Sequence, residues 1–491
     1  MTLTVNNKKL RAGLRNCLPE VDHAAGAPER APEFTYVPPS HARALDPNTS
    51  IVEGIRGAGK SFWWSHLSSE PHKKFVSEAF PEAKINPRVE ALKAFGAQLS
   101  SADAPSVDVL ARLMRMFPPR AIWRAVCAHK IGMKNCFPAA SSWTDRVEWV
   151  YQNPESFDAE IVRIDNQLES RNQTRVILFD ALDRLADDWQ GIRPLAKGLL
   201  QVAQDLRSTQ RIRFKIFVRP DMLQDKEIVG FPDASKLLAR KAQLAWRRAD
   251  LYALLFQCLG NDSSAGAVFR KLTNDALDCE WIRDGKAWVL PPELRGDEKV
   301  QEGAFVMLAG KAMASGASGH KRGRPYTWLV NHLQDGLDQV SPRSFFSAIR
   351  EAATQTREDN AYALGFKEIQ LGVQSASQIR VSEITYEDYP WVDKVMKPLR
   401  GKLSVPCAVD DIATIWKKEK TLGTLAGQLK AAGTSAVKLP PQSLEEGSLG
   451  VLKDLEALGI VKQLNDKRIQ MPDVYRIAFG LGRRGGVKPL K

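Results

Sequence analysis

The 491-residue chain is poor in cysteine, with six, and in histidine, with seven. Cys17, Cys127, Cys136, Cys258, Cys279 and Cys407 are scattered and form no C-x-x-C pair. A disulfide framework and a thiolate zinc site are therefore not expected, and the thiols read as reduced. The histidines form no ligand-spaced cluster, which removes most transition-metal chemistry. Long apolar runs are lacking too, and nothing approaches the ~20 residues of a membrane span. The opening MTLTVNNKKLRAGL has no apolar signal-peptide segment. These absences predict a cytoplasmic protein with no membrane partner. A chain of this length has room for about two to four domains.

Positive charge is what the chain has in excess. The formal net charge is +13, and it is unevenly placed. From Lys394 to Lys491 there are 18 Lys and Arg against 9 Asp and Glu, a net +9. A basic C-terminal part points to a polyanion, with duplex DNA as the expected partner; the alternative is a solubilising surface.

Gly54-Ile55-Arg56-Gly57-Ala58-Gly59-Lys60-Ser61 matches G-x-x-x-x-G-K-[ST] at every fixed position. An apolar run, Ser50-Ile51-Val52-Glu53, precedes it, and Phe62-Trp63-Trp64 follows as the opening of a helix. In that strand–loop–helix setting the glycines let backbone N–H groups approach a phosphate chain, and the helix end adds its positive dipole. Lys60 would reach the terminal phosphates and the Ser61 hydroxyl would bind Mg2+. Gly54, Gly57, Ala58, Gly59, Lys60 and Ser61 are the nucleotide-binding candidates.

A second motif supports the first. Arg175-Val176-Ile177-Leu178-Phe179-Asp180 reads as a buried parallel strand with a carboxylate at its tip. In a phosphate-loop fold that tip lies beside the loop, so Asp180 joins Ser61 as a magnesium residue. The position after it is Ala181, and the next acid is Asp183. Further on, Ile212 to Val218 reads as another strand, followed by Arg219-Pro220-Asp221. Helical patterns at 104–117, 119–131, 157–171 and 192–208 alternate with these strands, which predicts a parallel sheet with its ligand at the strand C-termini.

This order resembles the additional-strand class of P-loop NTPases, and within it the AAA+ and STAND/KAP-type ATPases, including the replication-initiator type. The resemblance covers about residues 49–355 and rests on the two Walker motifs. It implies a sensor residue at the tip of the strand after Asp180, where Arg219 stands. It also implies a helical lid carrying a second arginine near the γ-phosphate. Ser341-Pro342-Arg343-Ser344-Phe345-Phe346 looks like that lid segment, with Arg343 as the candidate, and Leu244 to Leu251 is similar to the start of the lid. Many of these ATPases carry a second acid directly after the first, where this chain has Ala181. Asp183 is the substitute base, the alternative being a helix-capping or Arg184-paired carboxylate. No arginine is singled out as a finger for a neighbouring subunit. With no N-K-x-D segment to read guanine, ATP is the expected nucleotide, and the Tyr36-Val37-Pro38-Pro39 lead-in could flank the base.

Beyond Lys394 the pattern turns to short helices, at 409–418, 422–431 and 443–458, the last ending at Gly459. Ile460 to Gln463 and Arg468 to Met471 then make a hairpin across a polar turn. Three helices and a two-stranded wing describe a winged helix, and the segment resembles the winged-helix domains that follow the lid in replication-initiator ATPases. Lys453, Lys462, Lys467, Arg468, Arg483 and Arg484 are the candidate nucleic-acid contacts, with Arg483-Arg484-Gly485-Gly486 as a flexible basic tail. Glu445, Glu446, Asp454 and Glu456 make the third helix an awkward face for phosphate.

The expected fold is therefore α/β: an extended lead-in (1–48), a P-loop NTPase core with a parallel sheet (49–225), a helical lid region (226–393) and a basic, mostly α winged-helix domain with its tail (394–491). The expected function is a Mg2+-dependent ATPase that gates assembly or DNA binding as a homo-oligomer. By resemblance, it would belong to anti-phage defence or mobile-element biology. Two alternatives stand beside it: a nucleotide-dependent switch that grips a protein effector without DNA, and a kinase acting on a small substrate. Residues 260–325 carry no readable signal, and Lys321-Arg322-Gly323-Arg324 reads equally as a phosphate-contacting loop and a solvated turn.

Overall fold

The computed structural model describes residues 2–18, 31–86, 88–96, 103–133, 137, 141–316, 319–432, 439–484 and 487–489. Two units divide the chain. One spans Val37–Ala245; the other spans Trp246–Lys491 and takes in the N-terminal helix Thr2–Asn16.

The first unit is built on five strands: β1 Ile51–Glu53, β2 Val89–Lys93, β3 Thr174–Phe179, β4 Ile212–Val218 and β5 Ala242–Gln243. Their order is β2-β3-β4-β1-β5, and every pairing is parallel. The expected parallel sheet is thus present, with β4 lying between the strand that leads into the glycine-rich loop and the strand that ends at Asp180. Parallel strands bury both faces, which is why β3 and β4 read as nearly continuous apolar runs. Val176, Ile177, Leu178 and Phe179 are all buried, as are Phe214, Ile216, Phe217 and Val218.

Two charged side chains fix the entry to β4. The buried Asp165 carboxylate accepts from the backbone N–H groups of Gln210, Arg211 and Ile212, at 2.8, 2.7 and 3.2 Å. Lys215 interrupts the apolar run of β4, yet it is only 1% exposed. Its Nζ donates to the carbonyls of Ala44, Asp46 and Thr49 at 2.7, 2.9 and 2.9 Å. One ammonium therefore ties the segment before β1 to the middle of the neighbouring strand. Burial pushes the Lys215 pKa down to about 7.

The 119–131 and 192–208 patterns correspond to helices Pro119–Ile131 and Trp189–Asp205, which pack on each other. The 157–171 pattern is the helix Pro154–Ser170, and the 104–117 pattern contains Val107–Leu113. The sheet does not end near residue 225: β5 pairs with β1 through Val52–Ala242 and Glu53–Gln243. Two residues are too short a run to signal a strand.

In the second unit, the start of the expected extended lead-in is instead the helix Thr2–Asn16. It packs on Gly266–Leu277 and Pro342–Gln355, and Arg11 donates to the carbonyls of Ala363 and Tyr362 at 3.2 and 3.1 Å. The unreadable stretch after residue 260 contains that helix, the hairpin Ile282–Asp284/Ala287–Val289, and the helix Glu298–Ala309. Further on, helices Val409–Lys418 and Thr421–Ala432 stand close to where their patterns lie. The expected third helix is split into a 3-10 turn, Leu444–Glu446, and the helix Gly447–Ala457. Gly447, at φ 68°, makes the break.

The expected hairpin pairs Lys462–Gln463 with Ile469–Gln470, antiparallel. Cys407 adds a third antiparallel connection, exchanging hydrogen bonds with Ile469 at 3.1 and 2.8 Å. Cys17, Cys127, Cys258, Cys279 and Cys407 are buried, whereas Cys136 lies outside the described residues. Among the described residues no helix is long and apolar enough to cross a membrane.

Candidate functional site

The glycine-rich loop leaves β1 at Glu53 and turns into the helix Lys60–His66. Gly57 and Gly59 have φ of 77° and 102°, values that a side chain would strain, so the turn requires glycine at both. The Lys60 Nζ folds back over the loop and donates to the carbonyls of Gly54 and Ile55, at 2.8 and 2.9 Å. Ser61, the next residue, is exposed and donates its hydroxyl to Asp180 Oδ2 at 2.5 Å. These two side chains are 119 residues apart in sequence. They meet because β3 and the loop deliver them to the same edge of the sheet.

Asp180 is 1% exposed. Burial holds its carboxyl above the usual range, opposed by the Ser61 hydrogen bond and the Lys60 charge. Lys60 feels the converse: burial lowers it to about 8, while the charges of Asp180, Asp183 and Asp221 pull the other way. A hydroxyl and a carboxylate in contact are hard oxygen donors, and they suit Mg2+ in a site where phosphate oxygens and waters complete the shell. No group of three or more His, Cys, Asp or Glu able to hold a metal occurs among the described residues. Ser61 and Asp180 supply two oxygen donors that could hold a Mg2+ ion together with phosphate oxygens.

After Asp180 the chain turns sharply. Ala181 stands at φ 56°, a left-handed conformation unusual for a residue with a Cβ. This turn points the 3-10 segment Leu182–Arg184 back over the site and brings Asp183 to Arg219. Arg219 follows directly on β4. Its Nη1 lies 3.4 Å from Asp183 Oδ2 and its Nη2 lies 3.2 Å from Asp221 Oδ2. Burial raises the Asp183 pKa, but the charges of Arg219 and Lys60 outweigh it and hold the group below its ordinary value. Asp183 is thus ionised at neutral pH, and its arginine partner is Arg219 rather than the exposed Arg184 beside it.

The structure therefore brings Gly54 to Ser61, Asp180, Asp183 and Arg219 to one place. It adds Asp221, a residue with no role assigned from sequence. The only signal for Asp221 was its position two residues after the strand tip. Glu53, at the end of β1, is also buried and pairs with Lys241 at 2.9 Å and Gln243 at 2.8 Å.

Arg343 belongs to the second unit. It opens the helix Pro342–Gln355, capped by Ser341, and pairs with Glu383 at 2.7 Å. The six basic candidates near the C-terminus also lie in that unit. Lys453 pairs with Glu446, Lys462 with Asp338, Arg468 with Asp466 and Arg483 with Asp473. Lys467 and Arg484 are exposed and have no carboxylate partner among the described residues. Arg483 sits in a two-residue strand, Gly482–Arg483, paired with Ser404–Val405, so the tail is not free at that point. Gly485 and Gly486 lie outside the described residues. In the Lys321–Arg324 stretch, Arg324 pairs with Glu302 at 3.0 Å.

No protein-family model matches the chain, and no curated protein matches it. Among solved structures, the Aeropyrum pernix ORC2 protein in ADPNP–ADP complexes aligns at 12% identity and a TM-score of 0.37, covering 90% of this chain and 93% of that one. The Walker-type ATPase of Pyrococcus abyssi aligns at 11% identity and a TM-score of 0.36, covering 90% and 97%. Cdc6p from Pyrobaculum aerophilum aligns at 10% identity and a TM-score of 0.29, covering 94% and 93%.

Proposed function

We propose that the protein is a Mg2+-dependent ATPase of the AAA+/STAND-like kind, whose nucleotide state governs assembly or the binding of a partner. The observation that carries this reading is the Ser61–Asp180 contact at 2.5 Å beside Lys60. The loop's lysine and hydroxyl are neighbours in sequence, but the strand-tip carboxylate comes from 119 residues further on, and its arrival at the loop is hard to explain as packing. The order β3-β4-β1 supports the same reading, because it sets one strand between the loop strand and the acid-tipped strand, as the additional-strand resemblance implies.

In this mechanism Gly57 and Gly59 let the loop wrap a triphosphate, and Lys60 exchanges the Gly54 and Ile55 carbonyls for phosphate oxygens. Ser61 and Asp180 would hold Mg2+, which would supply positive charge to neutralise that developing on the phosphates. Asp183 orients the attacking water, and Arg219 meets charge at the γ-phosphate. With Ala181 in place of a second acid and Asp183 shared with Arg219, turnover is slow or completed by another subunit. Arg343 is the proposed second arginine, carried by the lid. The domain scheme proposed with this function keeps a core, a helical lid region and a basic winged-helix domain; Cys407 and the hairpin would supply that domain's small sheet.

Duplex DNA is the proposed partner on the strength of the basic C-terminal part. A second reading, a switch that grips a protein effector, is favoured by one observation. Four of the six basic candidates already face carboxylates, so among the six only Lys467 and Arg484 have no carboxylate partner among the described residues. ATP hydrolysis with and without duplex DNA, against Lys60→Ala as background, tests both. Stimulation by DNA supports the first reading; unchanged turnover supports the second; activity no greater than in Lys60→Ala contradicts the ATPase assignment.

A further inference from the structure

The geometry points to Asp221 as a positioning residue that restrains Arg219 and sets how strongly the site discriminates a nucleoside triphosphate from a diphosphate. This inference rests on the proposed nucleotide site.

Arg219 is only 7% exposed, and two carboxylates from different elements hold its guanidinium. Asp183 comes from the turn after β3, and Asp221 from the short helix Pro220–Gln224 that follows β4. Pro220 stands between Arg219 and Asp221 with its φ fixed by the ring, which limits where the Asp221 side chain can go. The contacts, at 3.4 and 3.2 Å, are long for charge-assisted hydrogen bonds. They locate the guanidinium without the tight bidentate grip that would prevent it from moving to a phosphate.

The charges around Lys60 explain why a restraint matters. Asp180, Asp183 and Asp221 oppose Lys60 and Arg219, three carboxylates against two cations. Asp180 belongs with the metal and Asp183 with the water. Asp221 has neither task, and its charge lies against Arg219, the arginine that the proposed mechanism sets at the γ-phosphate. Neutralising it leaves Arg219 with more uncompensated charge and one fewer anchor. Coulombic attraction to the γ-phosphate should rise while the orientation needed for turnover is lost.

The test uses the full-length protein. Affinities for ATP and for ADP are measured by calorimetry with Mg2+ present, alongside steady-state phosphate release, for Asp221→Asn and Asp221→Glu. Asp221→Gln serves as a second neutral variant, and thermal melts establish that each is folded. Asp221→Asn is expected to raise the ratio of ATP to ADP affinity about three- to tenfold and to lower kcat about tenfold. Asp221→Glu keeps the charge and should keep the wild-type ratio. A structural role alone would weaken both nucleotides together. An unchanged ratio in two folded neutral variants overturns the inference while leaving the nucleotide site intact. A wild-type protein that binds neither ATP nor ADP overturns the site itself, and the inference with it.

Discussion

Raising the pH should weaken ATP binding by taking the proton from Lys60. Its pKa of about 8 arises because burial penalises the ammonium more than the nearby carboxylates support it. At pH 7 roughly nine-tenths of the free protein carries the Lys60 proton, and at pH 9 roughly one-tenth does. If only the charged form engages phosphate, the apparent affinity should fall about tenfold between pH 7 and pH 9. A triphosphate at the ammonium restores the charge, so binding at pH 9 should take up close to one proton, against about a tenth of one at pH 7. Calorimetry in two buffers of different ionisation enthalpy measures both quantities. The stability of the free protein moves in the opposite sense. Between the folded pKa near 8 and the ordinary value of 10.5, the unfolded chain holds more protons, so this group makes folding more favourable as pH rises. Weaker binding at pH 9 therefore cannot be attributed to loss of fold through Lys60. An affinity that is flat from pH 7 to 9, with no proton uptake, would refute the argument that Lys60 is poised by burial.

Further predictions concern separate parts of the molecule. Lys215→Met strands the carbonyls of Ala44, Asp46 and Thr49. Each stranded acceptor costs ~1–3 kcal/mol, partly offset by removing a buried ammonium, so urea unfolding should show a net loss of about 3 kcal/mol. Because the folded pKa of Lys215 is lowered to about 7, wild type should gain stability over this variant as pH rises from about 7 toward 10. Arg343→Ala should reduce kcat about tenfold or more with little change in ATP affinity if Arg343 acts on the γ-phosphate; equal losses in both would assign it to the Glu383 pair alone. The double variant Lys467→Glu/Arg484→Glu should weaken duplex binding about tenfold at low salt and flatten its salt dependence. Lys453→Glu, at a residue already facing Glu446, should matter less in the same gel-shift titration.

The sequence made the centre of the proposed site legible because its parts are contiguous. Gly54 to Ser61 carries its own turn, and a run of four apolar residues before Asp180 can hardly be anything but a buried strand. The same logic located β4 and hence Arg219. The missed features have physical reasons. Val89–Lys93 contains Glu90 and Lys93 and is only partly buried, so it lacks the apolar signature of an inner strand. Asp221 matters only because a guanidinium from the preceding strand turns toward it. The Thr2–Asn16 helix has Lys8, Lys9, Arg11 and Arg15 among its apolar positions, and its helical partners lie at or beyond Arg248, far away in sequence. The charge count over 394–491 includes Glu446, Asp466 and Asp473 but not Asp338, which the fold brings to Lys462 from 124 residues earlier.

The most direct test is phosphate release from ATP by the wild-type protein and by Asp180→Asn, each titrated with Mg2+ and checked for folding. A Mg2+-dependent rate in wild type that falls at least a hundredfold in Asp180→Asn, with ATP still bound, is the expected result. A rate that survives the substitution with its Mg2+ dependence unchanged would contradict the assignment of Asp180 and Ser61 as the metal-holding pair.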